Sequence, residues 1–270
     1  LIDEARARGV DVTIDQYPYT ASSTGTAALF PQWSLEGGPK ALLERLGAPE
    51  QRARIKAAIV KNILENRGGG NPKNVVMAGC GFDSRLAGKN LAEIAVGQGM
   101  EPTVENAAET AITLQQKGGC SAIYHAIAEE DVERILVYRN TMIASDGGIE
   151  SPGNGAPHPR NYGTFARVLG RYVRERKVLT LEDAVRKMSS LPAARLRLRD
   201  RGMLLVGMKA DIVLFDADRV VDRATFEQPH QYAAGFHTVL VNGRPVLWKQ
   251  KMTGERPGRV LAGPAATSPR

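Results

Sequence analysis

The chain has 270 residues, room for one large domain with a smaller one attached, and its 43% hydrophobic and 24% charged residues are those of an ordinary folded protein. No apolar run approaches the roughly 20 residues that cross a bilayer, so no membrane partner is expected. The formal net charge of +7, from 36 basic and 29 acidic residues, is spread over 171–177, 195–201 and the tail; Tyr172 alone interleaves with these arginines, too little aromatic stacking surface for nucleic acid, which favours solvated helix faces.

The chain opens on Leu1, inside what reads as a helix over 2–9. A helix without its beginning implies residues upstream. No secretory-leader pattern is present, and a cytoplasmic location is expected, with a periplasmic or secreted parent left open. Residues 10–17 alternate polar and β-branched side chains and predict a strand, which Pro18 ends because proline cannot donate to a ladder. Residues 20–73 differ in character. Small residues lead to Pro31 and Trp33, then a helical stretch over 39–66 with Leu42, Leu43, Leu46, Ile55, Ala58, Ile59 and Ile63 at apolar positions. The run Gly68-Gly69-Gly70 closes it. No Lys-Ser/Thr follows those glycines, so they are a turn and not a phosphate loop. The segment reads as an insertion that caps a site.

From there strands and helices alternate. Strands are expected at 74–79, 121–126 and 141–146, with helices around 91–95, after a Thr103 cap, and from 128, where early acids suit the helix dipole. Such alternation predicts a parallel sheet or barrel, with function at the strand C-termini. Cys80 and Cys120 lie at strand edges and read as buried free thiols, lacking a metal spacing or a disulfide framework. Further helices are expected over 165–176 and after a Thr180 cap, the latter ended by Pro192. Beyond Gly202 the pattern turns to short strands at 203–206, 211–215, 237–241 and 245–248, with Asn242-Gly243 a hairpin turn. The tail from 261 is expected to be disordered.

The chemistry concentrates at Ser145-Asp146-Gly147 and at His158-Pro159-Arg160. An apolar strand that stops on a carboxylate is how an α/β barrel presents a catalytic group, and Asp146 can bind a metal or carry a proton to a leaving group; the alternative is plain turn chemistry. Arg160 can clamp a substrate carboxylate with its fork, against the alternative of a surface ion pair. His158, between two prolines, can line the site or be a satisfied loop histidine. Tyr17 shares a strand face with Asp15 and can donate to an anion, with packing as the alternative for it and more so for Tyr19. His125 lies near a strand end, whereas His230 and His237 read as structural. No Gly-x-Ser-x-Gly elbow marks a nucleophile among Ser22, Ser23 and Thr24. Four histidines without a His-x-His pair cannot complete a hydrolytic metal site, which needs about three or more protein ligands.

These blocks together resemble the D-aminoacylase, or N-acyl-D-amino-acid deacylase, branch of the amidohydrolase superfamily. The likeness rests on Asp15-Gln16-Tyr17-Pro18-Tyr19, Glu129-Glu130-Asp131-Val132, Ser145-Asp146-Gly147, His158-Pro159-Arg160 and Tyr162-Gly163-Thr164-Phe165. It continues through Leu191-Pro192-Ala193, Arg201-Gly202, 207–213 and Val241-Asn242-Gly243. The resemblance implies the C-terminal part of a (β/α)8 barrel over 1–200, with 20–73 an insertion near the site, and a β-sandwich segment over 201–260. It implies zinc, one or two ions, with Asp146 a metal ligand and the catalytic acid-base group, and the other ligands upstream of Leu1. It also implies a small N-acyl amino acid as partner, its α-carboxylate held by Arg160 and a tyrosine of the Tyr17-Pro18-Tyr19 motif, Tyr17 preferred by its face. The activity expected is hydrolysis of an N-acyl-D-amino acid. The alternatives are a cyclic-amide hydrolase such as a dihydroorotase on the same scaffold, and a non-catalytic fragment. The sequence leaves the oligomeric state open.

Overall fold

The structure is a computed structural model, and it describes residues 1–261. Of the expected tail, all but Leu261 lies outside the described residues. The chain begins with α1 (Ile2–Ala7) and β1 (Ile14–Gln16). β1 is shorter than the alternation over 10–17 suggests. It pairs in parallel with β5 (Thr141–Ile143), Ile14 opposite Thr141 and Gln16 opposite Ile143. The ladder runs one step further, since the Ala144 amide donates to the Gln16 carbonyl at 3.0 Å. Parallel pairing sets the carboxyl ends of both strands side by side, and that end carries Tyr17 and Asp146.

Between them, residues 20–125 build a unit with its own core. It holds β2 (Ser22–Gly25), the helices α2 (Gln32–Leu35), α3 (Gly38–Gly47) and α4 (Pro49–Glu65), then β3 (Val75–Gly79), α5 (Leu91–Gly97), α6 (Val104–Gln116) and β4 (Ser121–Tyr124). The single helix expected over 39–66 is two, because Ala48 precedes Pro49 and is held in the extended region that a following proline enforces. Ile55, Ile59 and Ile63 recur at one-turn spacing on α4 and are fully buried, each worth about 1.5–3 kcal/mol relative to exposure. Leu43 turns outward instead.

The expectation of parallel strands fails in this unit. β4 lies between β2 and β3 and is antiparallel to both. Burial on both faces gives such strands the same apolar runs as parallel ones, so hydrophobic pattern alone does not separate them. The antiparallel register corrects a second expectation. Gly79 pairs with Ser121, so the next step sets Cys80 opposite Cys120, with Cα atoms 4.4 Å apart, and the two are joined in a disulfide. That separation is the one found at a non-hydrogen-bonded antiparallel pair.

The remainder packs around a second core. α7 (Glu129–Val137) leads into β5; α8 (Arg160–Arg167) runs on as a π-helical stretch, Val168–Glu175; α9 (Leu181–Met188) and α10 (Ser190–Arg195) follow. Thr180 caps α9 by accepting the Asp183 amide at 3.2 Å. Pro192 does not end α9. It sits in the first turn of α10, where its missing N–H costs nothing. Lys187 of α9 is fully buried and donates to the carbonyl of Tyr138, tying α9 to the entry of β5.

An antiparallel sheet closes the chain: β6 (Ile212–Phe215), β7 (Phe236–Val241), β8 (Arg244–Trp248) and β9 (Lys251–Met252) in that order. Asn242 and Gly243 both have positive φ, +49° and +78°, the two-residue hairpin turn their sequence specifies. The strand expected at 203–206 does not form; those residues run along the surface with Leu204 and Val206 exposed. Among the described residues no closed barrel forms, and no helix is long and apolar enough to cross a membrane.

Candidate functional site

The site lies where the carboxyl ends of β1 and β5 meet the near end of β2. Asp146 follows β5 with φ of +46°, a left-handed conformation that aspartate tolerates. Its side chain is 66% exposed, and one oxygen, Oδ2, takes Nη2 of Arg160 at 2.9 Å. The loop from Asp146 to His158 is stapled in place. Ser145 Oγ accepts the Gly147 amide, Asn161 Oδ1 accepts the Gly148 amide at 3.1 Å, and the Ala156 amide donates to Ala78 of β3 at 2.7 Å.

Arg160 opens α8 and is 8% exposed. Its Nη2 also donates to the Ser23 carbonyl of β2 at 3.3 Å, and its guanidinium stacks 4.8 Å from the centre of the Tyr17 ring. Nε and Nη1 are buried and have no hydrogen-bond partner among the described residues. Buried charged donors left unpaired cost about 1–3 kcal/mol or more, so these two nitrogens are where the guanidinium has hydrogen bonds still to make. Burial raises the Tyr17 phenol above its ordinary value, against the pull of the Arg160 guanidinium, so Tyr17 is a neutral donor at pH 7.

His158 is buried behind the guanidinium. Its Nδ1 accepts the Arg160 backbone amide at 3.0 Å, which leaves the ring proton on Nε2 to donate to the Ala21 carbonyl, also at 3.0 Å. Both nitrogens are spent inside the protein. Burial, with the nearby positive charge of Arg160, drops its pKa from 6.5 to about 3. The ring stays neutral and orients Arg160; it has no nitrogen to offer a ligand. Tyr19 lies deeper, 2% exposed, edge-on to His158 at 5.0 Å and beneath the Arg167 guanidinium at 4.8 Å. The structure thus brings Tyr17, Asp146 and Arg160 together and sets Tyr19 and His158 behind them as support.

Several supporting groups escape sequence reading. Phe226 packs against His125, His158 and Tyr19 from the long connection before β7. Arg167 donates to the Pro18 carbonyl at 2.8 Å and pairs with Asp222 at 3.1 Å, fixing the chain between Tyr17 and Tyr19. No local pattern announces such contacts, which span 55 residues or more along the chain. His230 links Tyr162 to the Gly155 carbonyl, a structural bond on the site loop.

A metal is a separate question. Among the described residues no three His, Cys, Asp or Glu side chains converge. Asp146 meets a guanidinium, and one carboxylate is short of the roughly three protein ligands a hydrolytic metal requires. The donor set of this chain does not fit a metal on its own.

Residues 90–247 match the family model described as Amidohydrolase family. This chain belongs to that family. Within it the sequence falls in the D-aminoacylase branch. It is 41% identical over 260 residues to an N-acyl-D-glutamate deacylase of Alcaligenes xylosoxydans xylosoxydans, covering 96% of this chain and 43% of that protein. It is 39% identical over 266 residues to a D-aminoacylase of the same organism, covering 98% of this chain and 45% of that one. The crystal structure of the N-acyl-D-glutamate deacylase from Bordetella bronchiseptica, complexed with zinc and a phosphonate mimic of the tetrahedral intermediate, superposes with a TM-score of 0.72. Its identity is 34%, over 96% of this chain and 44% of that one. The amidohydrolase chain described here therefore spans less than half the length of the relatives it matches.

Proposed function

We propose that the protein to which this chain belongs is a metal-dependent hydrolase of the amide bond of N-acyl-D-amino acids. The chain is the C-terminal part of its (β/α)8 barrel, over 1–200, followed by a β-sandwich segment over 201–260. The observation that carries this reading is the buried Arg160 guanidinium, with two donor nitrogens unspent, beside a neutral tyrosine and a strand-end carboxylate.

The geometry supports the following roles. The Arg160 guanidinium holds the α-carboxylate of the substrate, and the Tyr17 hydroxyl donates to the same group. That fixes the amide against the rim on which Asp146 stands. Asp146 has one oxygen engaged by Arg160 and is otherwise open to solvent, so it can accept a proton from the attacking water. It returns that proton to the nitrogen as the C–N bond breaks, releasing the acid and a free amine. His158 holds Arg160 at the required depth. The zinc that the resemblance implies draws on this chain for Asp146 alone, its other ligands coming from outside these 270 residues.

In the full-length protein Asp146→Asn keeps the size and removes the proton carrier. Turnover of N-acetyl-D-amino acids is expected to fall about 10²–10⁴-fold with the thermal melt unchanged. An unchanged kcat removes Asp146 from the chemistry. Hydrolysis of cyclic ureides in preference to N-acyl-D-amino acids would replace the deacylase reading with the dihydroorotase-like one.

A further inference from the structure

The helix that presents Arg160 presents a second arginine two turns later. Arg160 and Arg167 are the first and last residues of the eight-residue α8, which sets them on one face. Each guanidinium lies 4.8 Å from the centre of a tyrosine ring, Arg160 at Tyr17 and Arg167 at Tyr19. Gly163 lets the helix come this close: a Cβ there would lie 2.8 Å from the Tyr19 hydroxyl oxygen and 2.8 Å from Cβ of Asp222. The two arginines differ in what they hold. Arg160 keeps donors unspent, whereas Arg167 gives Nε to the Pro18 carbonyl at 2.8 Å and Nη1 to Asp222 Oδ2 at 3.1 Å.

Pro18 sits in a tight turn. The Tyr19 amide donates to the Tyr17 carbonyl at 3.0 Å, which leaves the Pro18 carbonyl to be satisfied from outside the turn. The Tyr172 hydroxyl lies 3.4 Å from that oxygen, but its proton goes to Glu129 at 2.7 Å, so Arg167 is the donor. Asp222 is fixed without Arg167. Val221 exchanges backbone hydrogen bonds with Ala234 at 3.1 and 3.0 Å, and the Val220 carbonyl accepts Arg174 Nη1 at 2.7 Å. A Cβ on Gly170 would lie 2.8 Å from that same oxygen. The stretch between β6 and β7 is thereby clamped onto the continuation of α8, and it carries Asp222 to a set place.

The Arg167 and Asp222 side chains are only 20% and 10% exposed. An ion pair this sheltered adds little stability over apolar side chains of similar size. Apolar side chains, however, have nothing to donate to the Pro18 carbonyl. We propose that Arg167 and Asp222 are positioning residues for substrate binding. Through the Pro18 carbonyl they hold Tyr17 where its hydroxyl meets the substrate α-carboxylate beside Arg160. The stretch between β6 and β7, remote in sequence from the strand ends that carry the site, thereby sets substrate affinity. This rests on the deacylase reading above and extends it to residues that touch no substrate.

The test uses the full-length protein with N-acetyl-D-methionine or N-acetyl-D-glutamate, whichever it hydrolyses faster, and with the α-carboxamide of that compound. Arg167→Met combined with Asp222→Leu removes both charges and leaves neither buried alone. Its thermal melt is expected to stay close to that of the wild type. KM for the carboxylate should rise about tenfold, the scale of one lost hydrogen bond, with kcat held. The carboxamide, which lacks the group being positioned, should change far less, so the preference for the carboxylate falls. Arg167→Lys keeps a charge and a donor and should restore most of the affinity. Equal losses on the two compounds, a loss confined to kcat, unchanged kinetics or a collapsed melt each overturn the inference while the deacylase reading stands. Failure of the wild-type protein to hydrolyse either acid overturns both.

Discussion

A histidine that is neutral when folded and free to titrate when unfolded makes stability depend on pH. His158 has a folded pKa of about 3 against an ordinary 6.5, with Arg160, His125 and Arg167 as its charged or titratable neighbours. Between those two values the unfolded chain binds more protons than the folded one, so stability declines as pH falls from 6.5 towards 3. The slope is at most about 1.4 kcal/mol per pH unit, and above 6.5 the group has no effect. His158→Gln keeps a donor and an acceptor and cannot titrate. Its loss of unfolding free energy between pH 7.5 and 5 should be about 1–2 kcal/mol smaller than that of the wild type, measured by urea denaturation. Parallel curves for the two proteins would contradict the burial described here. At this scale the sequence was legible where chemistry is local. Asp146 at a strand end and Arg160 next to a helix start are visible as residue types in a pattern. That His158 faces inward is not, because it depends on the Ala21 carbonyl, 137 residues away.

At the scale of elements, boundaries set by a nearby residue were readable and pairings were not. Asn242-Gly243 forms the turn its residues require, and Thr103 and Thr180 cap the helices that follow them. β9, by contrast, is reached through Lys249 and Gln250, both with positive φ and neither a glycine, so no turn signal preceded it. The partners of β3 and β4 were misread because a buried strand looks alike in parallel and antiparallel sheets. The disulfide was missed for the same reason: Cys80 and Cys120 are 40 residues apart and meet only through that register. Closing a loop of this length restricts the unfolded chain, so Cys80→Ser with Cys120→Ser should lower stability by about 2–4 kcal/mol. Urea midpoints of the double variant and the wild type measure this. Thiol titration under denaturing conditions should find no free thiol in the unreduced wild type, and two reactive thiols there would refute the bond.

At the scale of the whole molecule, the site is a junction between two packed bodies. One body supplies the rim, with Tyr17 and Asp146 at the ends of parallel strands and Arg160 on α8. The other is the inserted unit, which reaches that rim through the Ser23 carbonyl. Composition and alternation indicated an α/β chain, and the family resemblance indicated the branch. Neither indicated that the inserted unit extends through β3 and β4 with a core of its own, since its strands and helices mimic the alternation of the rest. The proposed function depends above all on the Arg160 guanidinium serving a substrate carboxylate. The most direct test compares kcat/KM of the full-length protein for an N-acetyl-D-amino acid and for the same compound with its α-carboxylate converted to the carboxamide. The prediction is a loss of roughly a hundredfold or more for the carboxamide, and a smaller gap in Arg160→Lys, which lacks the fork. Equal efficiency on the two compounds would contradict it.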